Sequence, residues 1–525
     1  MIQHLGSLVP TMVAAEAPAE FHPTPHQESI FQWVKEGSGS ALVTAVAGAG
    51  KTTTIVEAMR LIPSDRKVLL LAFNKAIADE LRTRTPPHVE ARTFHSLGYL
   101  ALRANGFKVQ VDGRKLQRLF KDLLPLASSH YPAVSHLVSL AKSQGVGVLS
   151  PDTDSTWRDL AARYDVPESG DITRIINYSR KVLNASIEST SRTGLVDFDD
   201  QLYLPAYWEL PVRQYDWVCV DEAQDINPIR LQLIRMSLNP GGRLVAVGDP
   251  CQSIYGFTGA TPEVFSALKK EFDATELPLT VSFRCPQAVV RQAQSIVPYI
   301  MPHDSAIEGE VRHLDTTDLD TELQRLTAAD VVLCRNTQPL VSTALHLIAA
   351  GVGCKVLGRD IGAGLVKLIE HLRPVSLLDL DRRLSDYTTT ETAKLLARGE
   401  EHKVESLNDR VGCIRTVIDS LDSGSGVLEL TTHLSSLFGD DNGTLTLSTI
   451  HKAKGREWNT VLLIRPDLLP SKWAKQSWQQ TQERNLEYVA YTRAKRVLLI
   501  GPPGEQKRPS RGQGRQTRNP KNCRR

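Results

Sequence analysis

Ala45-Val-Ala-Gly-Ala-Gly-Lys-Thr52 is the stretch that decides the fold, because it joins the apolar run Ala41–Val46 to a helical pattern that starts at Thr53. The apolar run is typical of a buried strand. A strand, a glycine-rich turn and a helix start, in this order, predict a phosphate-binding loop. Gly48 and Gly50 allow backbone N–H groups to curl around a phosphate at the positive end of the helix.

The side chains of this loop then have predicted roles. Lys51 is expected to reach the β- and γ-phosphates of a nucleotide, and the hydroxyl of Thr52 to bind Mg²⁺. The usual first glycine of such a loop is Ala45 here. The predicted phosphate-binding set is Ala47, Gly48, Ala49, Gly50, Lys51, Thr52 and Thr53.

A pair of acidic residues supplies the second half of the predicted nucleotide site. The run Trp217-Val-Cys-Val220 is apolar, and Asp221 and Glu222 follow it directly. Ligands of open α/β sheets bind at the carboxyl ends of the strands. Asp221 suits the Mg²⁺ shell, and Glu222 suits the orientation or deprotonation of an attacking water.

Further apolar runs extend the pattern to a fold class. Strands are predicted at 68–72, 244–247, 331–334, 445–448, 461–464 and 497–500, and they alternate with helical stretches. The runs fall into two groups, before and after about residue 278, which predicts two parallel sheets in an α/β protein. The segments 103–195 and 370–440 are charged and helical, and we interpret them as insertions.

Composition limits the class of protein. The chain has 525 residues, 41% hydrophobic and 23% charged, which is ordinary for a globular enzyme of two to four compact units. No run of about 18 uncharged apolar residues occurs, so no membrane association is expected. Seven cysteines are scattered singly, which argues against a zinc ribbon or an iron–sulfur cluster and favours a reducing compartment.

The two ends of the chain differ in charge from the rest. Residues 1–24 carry no Lys or Arg and are interpreted as a flexible leader. Residues 504–525 hold eight basic side chains against Glu505, so this end is predicted to be a disordered tail, or a tether that binds phosphates without sequence preference. The whole chain has a net charge of +3, so without residues 504–525 the rest of the chain carries about −4.

Beyond these features, the chain resembles the UvrD/Rep-like helicases of superfamily 1 over residues 25–500. The resemblance rests on ordered motifs: Pro25-His-Gln27, Ala72–Ala76, Arg92–His95, Leu195–Asp200, Val247–Ala260, Ser282-Phe-Arg284, Leu447–Glu457 and Asn485–Ala494, beside the two nucleotide motifs. Some wording is also similar to the F-box DNA helicases, although no F-box segment is apparent.

The resemblance implies two RecA-like P-loop lobes, each with a mainly helical insertion. The first lobe would comprise residues 25–102 and 196–278, with its insertion at 103–195. The second would comprise 279–369 and 441–503, with a short insertion at 370–440.

It also implies roles at the nucleotide. Gln27 would recognise adenine, Phe283 would stack on it, and Glu457 would hold the ribose. Gln252 would sense the γ-phosphate, and Arg284 and Arg493 would contact it from across the cleft, which suits the permanent charge and fork geometry of arginine. With Lys51, Asp221 and Glu222, these last three complete the predicted catalytic set.

A third implication is a DNA-contact set on the other face. Its predicted members are Phe73, Asn74, Thr93, His95, Tyr255, Phe257 and His451, of which the aromatic and histidine rings offer platforms for unstacked bases. The family's usual Trp-Arg-Gly-Ala is Phe257-Thr-Gly-Ala260 here, and the family's frequent arginine after Lys-Thr is Thr53.

The predicted function is ATP- and Mg²⁺-dependent movement on single-stranded DNA, 3′ to 5′, with duplex unwinding at single-strand/duplex junctions. A non-unwinding translocase that clears proteins and an RNA-dependent ATPase remain alternatives, and a small-molecule kinase and an assembly factor are more remote. The expected setting is the nucleoid of a bacterium or phage, or a eukaryotic nucleus, in repair, replication or recombination. A monomer is expected, with protein partners at the insertions or basic tail.

Overall fold

The computed structural model describes residues 21–164, 166, 172–256, 259, 263–397, 401–439 and 444–504. The first 20 residues of the predicted leader and residues 505–525 of the predicted tail lie outside this range, as does Phe257. The strands are β1 Ala41–Ala45, β2 Val68–Ala72, β3 Val89–Thr93, β4 Gln110–Val111, β5 Leu195–Val196, β6 Tyr215–Val220, β7 Leu238–Gly248, β8 Thr275–Leu279, β9 Val281–Ser282, β10 Met301–Pro302, β11 Glu310–His313, β12 Val331–Cys334, β13 Cys354–Leu357, β14 Phe438–Gly439, β15 Leu445–Thr449, β16 Trp458–Leu463 and β17 Ala494–Ile500.

Helices separate most of the strands. They are α1 Pro25–Glu36, α2 Lys51–Met59, α3 Lys75–Arg84, α4 Phe94–Ala104, α5 Lys115–Leu123, α6 Tyr131–Gln144, α7 Asp154–Arg163, α8 Ile172–Thr193, α9 Phe198–Tyr207, α10 Pro228–Ser237, α11 Val264–Phe272, α12 Gln287–Ala293 (seven residues), α13 Thr316–Arg325, α14 Thr337–Ala349, α15 Arg359–Leu372, α16 Leu377–Ala397, α17 Glu401–Asp419, α18 Val427–Leu437, α19 Ile450–Ala453 (four residues) and α20 Ser477–Tyr491.

Two parallel sheets organise the chain, which confirms the predicted α/β class. The first has the order β3-β2-β6-β7-β1-β8, and the second has the order β11-β17-β16-β12-β15-β13-β14. The central strands are buried along their length, as parallel strands covered by helices on both faces must be. We call each sheet with its flanking helices the first lobe and the second lobe.

Helices α5 to α8 form a mainly helical region between β4 and β5 of the first lobe, and α16 to α18 form a second between β13 and β14. The first region is attached to the lobe by a buried ion cluster. Lys142 Nζ lies 2.7 Å from both Asp197 and Asp200, and Lys115 Nζ lies 2.6 Å from Asp200. The two aspartates also form the capping box that starts α9.

No helix within the described residues has both the length and the apolar character needed to cross a membrane.

Candidate nucleotide and nucleic-acid sites

The phosphate loop lies where the sequence predicts it, between the end of β1 and the start of α2. Gly48 and Gly50 both have φ of +72°, a conformation that favours glycine. Gly48 has a second reason to lack a side chain, because an added Cβ would lie 2.6 Å from Cβ of Arg284. The loop lines a cleft between the lobes with a volume of about 280 Å³.

Thr52 and Asp221 come together as a pair of oxygen donors in this cleft. The Thr52 hydroxyl donates to Asp221 Oδ2 over 2.8 Å. Burial, with Glu222 beside it, raises the pKa of Asp221 to about 6. Two oxygen ligands at the mouth of a phosphate loop fit Mg²⁺, which takes few protein ligands and completes its shell with water and phosphate oxygens.

Glu222 is held in an unusual conformation next to the lysine of the loop. Its φ is +54°, which is rare for a residue with a side chain and is often found at functional sites. Its Oε2 lies 3.2 Å from Lys51 Nζ and also accepts from Gln224. Burial opposes the charge of Glu222, but Lys51 and Lys454 outweigh it and lower the pKa to about 2. This carboxylate is therefore ionised and able to accept a hydrogen bond from a water molecule.

The second lobe contributes Arg493 to the same cleft. Its side chain is 1% exposed, and Nη2 donates to Gln252 Oε1 over 3.3 Å. Its other donors reach carbonyl oxygens of Val489 and Arg456, and among the described residues no carboxylate forms an ion pair with it. Burial, with Arg284 nearby, lowers the pKa of Arg493 to about 9. A buried cation without an anion suits a phosphate ligand.

Arg284 and Glu457 form an ion pair at the edge of the cleft. The Arg284 Nε lies 2.6 Å from Glu457 Oε2, and Lys495 is also within 3.6 Å of that carboxylate. Arg284 lines the cleft with the phosphate loop, so a nucleotide would compete with Glu457 for this guanidinium. Phe283, the neighbouring residue, is 46% exposed, with its ring centroid 4.7 Å from that of His303.

Gln27 lies beneath the loop rather than in the open cleft. It is 1% exposed, its Nε2 donates to Thr54, and its Oε1 accepts from the backbone of Thr24. In this arrangement its amide supports the start of α1. Arg84, which the sequence did not single out, also lines the cleft and donates to the Thr53 hydroxyl.

Contacts between the lobes continue away from the nucleotide. Lys454 Nζ lies 2.7 Å from Asp225, and both side chains are less than 10% exposed. The same ammonium lies 4.6 Å from the centre of the Tyr255 ring, and the Tyr255 hydroxyl donates to the carbonyl of His451. Tyr255 and His451, which the sequence placed in the DNA-contact set, are thus directly joined across the lobe boundary.

The first-lobe members of that set divide into two kinds. Asn74 and Thr93 cap helices, since their side-chain oxygens accept from Ile77 and Ser96 at the starts of α3 and α4. Phe73 and His95 instead present half-buried rings.

The rings of those two residues have close neighbours. The Phe73 ring lies under the guanidinium of Arg230, with 4.7 Å between charge and centroid. His95 packs edge-on to Phe198 and lines a cavity with His136 and Arg230.

His451 lines a groove of the second lobe that contains two tryptophans. Trp473 and Trp478 face it, together with Arg335 and Gln482. Burial, and then Arg335, lower the pKa of His451 to about 4. The sequence interpretation missed both tryptophans, although Lys472-Trp-Ala-Lys475 interleaves basic and aromatic side chains, a pattern typical of nucleic-acid contacts.

The chain matches the two domain models of one helicase family. The UvrD/REP helicase N-terminal domain model matches residues 26–273, and the UvrD-like helicase C-terminal domain model matches residues 387–501. F-box DNA helicase protein 1 of Schizosaccharomyces pombe is 26% identical over 515 residues, covering 87% of this chain and 55% of that protein. F-box DNA helicase 1 of Gallus gallus is 23% identical, covering 91% and 49%. ATP-dependent DNA helicase UvrD2 of Mycobacterium tuberculosis is 26% identical, covering 90% and 79%. The chain thus spans about half the length of the two F-box relatives.

Proposed function

The chain belongs to the UvrD/REP helicase family, and from this premise we propose that it is an ATP-dependent DNA helicase that moves on single-stranded DNA, 3′ to 5′, and unwinds duplex. The observation that carries the proposal is that side chains from both lobes line one cleft. Lys51, Asp221 and Glu222 approach it from the first lobe, and Arg493 approaches it from the second.

ATP is the substrate that this cleft suits. The glycine-rich backbone and Lys51 bind its phosphates. Thr52 and Asp221 would hold Mg²⁺, which would supply charge neutralisation for the reacting phosphate. Glu222 orients the attacking water by accepting a hydrogen bond from it. Gln252, already bonded to Arg493, transmits the presence of the γ-phosphate between the lobes.

Arg493 completes the reaction site upon lobe closure. Its guanidinium is held in place by carbonyl oxygens before any ligand arrives, so little side-chain entropy is lost when it contacts a phosphate. An arginine used in this way accelerates phosphoryl transfer by roughly 10³–10⁵ in related enzymes. Loss of the γ-phosphate after hydrolysis removes an anion between the lobes, which favours their opening.

A single strand of DNA is the proposed second ligand. Its bases stack in the second-lobe groove on His451, Trp473 and Trp478, and continue over the first lobe at His95. Because Tyr255 joins His451 to the segment that carries Gln252, a strand in the groove affects the residues that contact ATP. The interleaved Lys472 and Lys475 supply phosphate contacts without sequence preference.

The test is the rate of ATP hydrolysis with and without single-stranded oligonucleotide. We expect pronounced stimulation by DNA and little by RNA of the same sequence. Lys51→Ala and Glu222→Gln should lower the stimulated rate at least about 100-fold while strand binding persists. Lys35→Ala, an exposed lysine on α1, is the matched control and should behave as wild type.

Polarity and unwinding need a second assay. Partial duplexes with a 3′ or a 5′ single-stranded tail should be separated only when the tail is 3′. A rate of ATP hydrolysis that is unchanged by oligonucleotide would refute the proposed ATP-driven movement on DNA. Stimulation by DNA without strand separation, but with clearance of a bound protein, would instead establish the non-unwinding translocase.

A further inference from the structure

Helix α20 carries a buried tyrosine whose hydroxyl reaches the opposite lobe. Tyr488 is fully buried, and its hydroxyl oxygen accepts the backbone N–H of Ala47, in the phosphate loop, over 2.8 Å. The same hydroxyl donates to Asp249 Oδ2 over 3.4 Å. One atom of the second lobe thus bridges two separate segments of the first.

The Asp249 carboxylate connects this hydroxyl to the γ-phosphate sensor. Its Oδ2 also accepts from Gln252 Nε2 over 2.8 Å, and its Oδ1 accepts from the backbone of Cys251. Gln252 in turn accepts from Arg493, which follows α20 in the chain. Tyr488, near the end of α20, and Arg493, just after it, therefore both bond to the segment that carries Asp249 and Gln252.

A second branch of the network leads to Glu222. The backbone N–H of Asp249 donates to Gln224 Oε1 over 2.9 Å, and Gln224 Nε2 donates to Glu222 Oε2. A displacement of Asp249 would consequently move the side chain that holds the predicted catalytic carboxylate. Burial, with Asp249 nearby, raises the pKa of Tyr488 well above its ordinary value, so the phenol keeps its proton and can both donate and accept.

We propose that Tyr488 is the positioning residue that couples lobe closure to ATP hydrolysis. Its hydroxyl would do so by joining Ala47 of the phosphate loop to the Asp249 carboxylate, which binds Gln252. This role rests on the proposed ATP-driven function and deepens it. When the second lobe moves away, the Ala47 N–H loses its acceptor, Asp249 loses a donor, and Gln224 releases Glu222 from its orientation. Alignment of water and phosphate then depends on the presence of this hydroxyl.

The variant Tyr488→Phe tests the proposal by deleting one oxygen and keeping the ring in the core. Tyr491→Phe is the matched control, because that tyrosine lies one turn away on α20 and its hydroxyl donates to Glu487 on the same helix. Steady-state hydrolysis with saturating single-stranded DNA separates kcat from KM. We expect kcat of Tyr488→Phe to fall roughly tenfold with KM for ATP within about twofold, whereas Tyr491→Phe keeps both.

The double variant Tyr488→Phe/Asp249→Asn provides a second test, because its kcat is compared with that of both single variants rather than with one variant alone. Residues that act as a unit are non-additive, so the double variant should fall no further than the more impaired single variant. Additive losses, equal losses in Tyr488→Phe and Tyr491→Phe, or an unchanged kcat in Tyr488→Phe would each overturn the role of Tyr488. Failure of the proposed function is a different result, in which the wild type itself does not respond to DNA.

Discussion

Replacement of Arg493 by alanine should abolish most of the DNA-stimulated hydrolysis while leaving DNA binding intact. The guanidinium is buried, has carbonyl partners, and has a pKa lowered to about 9, which corresponds to roughly 5 kcal/mol of destabilisation of the charged form. Contact with the transferring phosphoryl group would offset part of that cost, and an arginine in this role accelerates phosphoryl transfer by roughly 10³–10⁵ in related enzymes. We therefore expect a loss of about 4 kcal/mol in transition-state binding, or roughly 10³-fold in rate.

The assay is single-turnover hydrolysis at saturating Mg²⁺-ATP and single-stranded DNA. Arg493→Lys should recover only part of the rate, because an ammonium keeps the charge but lacks the fork that contacts Gln252 and phosphate together. Arg496→Ala, an exposed arginine on β17, is the control for loss of a nearby positive charge. A rate for Arg493→Ala within tenfold of wild type would refute the assignment of this residue to the reaction site.

Three further predictions concern other parts of the molecule. The pKa of His451 is lowered to about 4, so between about pH 6.5 and 4 the unfolded chain binds a proton that the folded chain does not. The free energy of unfolding therefore falls as the pH falls through this window, by at most about 3 kcal/mol. The variant His451→Gln should show a smaller decrease in Tm over the same window. Lys142→Met should cost about 3 kcal/mol in urea unfolding, because it leaves buried carboxylates short of a cation. Phe283→Ala should raise KM for ATP about fivefold with kcat little changed, through loss of a stacking surface.

The strands that the sequence predicted are those buried on both faces. All the predicted runs form strands, and they include the central positions of both sheets. Within the described part of the two large sheets, the strands that it missed are the four edge strands, Val89–Thr93, Thr275–Leu279, Glu310–His313 and Phe438–Gly439, and one inner strand, Cys354–Leu357. An edge strand has one partner and partly exposed side chains, so it lacks the continuous apolar run by which the others were recognised.

The residues that line the cleft were more predictable than those that line the groove, for a related reason. The phosphate loop and the acidic pair are local patterns, whose backbone geometry follows from a few consecutive residues. The groove with Trp473 and Trp478 depends on how distant segments pack, which spacing along the chain does not encode. Asn74 illustrates the difference, because its place at a helix start gives it a capping role that its motif alone did not indicate.

The buried ion cluster between the first helical region and its lobe limits how these parts can be exchanged with those of a relative. Lys115 and Lys142 belong to the helical region, whereas Asp197 and Asp200 belong to the start of α9. A chimaera that transplants one side without the other would enclose like or unmatched charges away from water. The helical region can therefore be exchanged only together with both the lysines and the aspartates of this cluster. The exchangeable unit thus extends beyond the helices into the capping box at the start of α9.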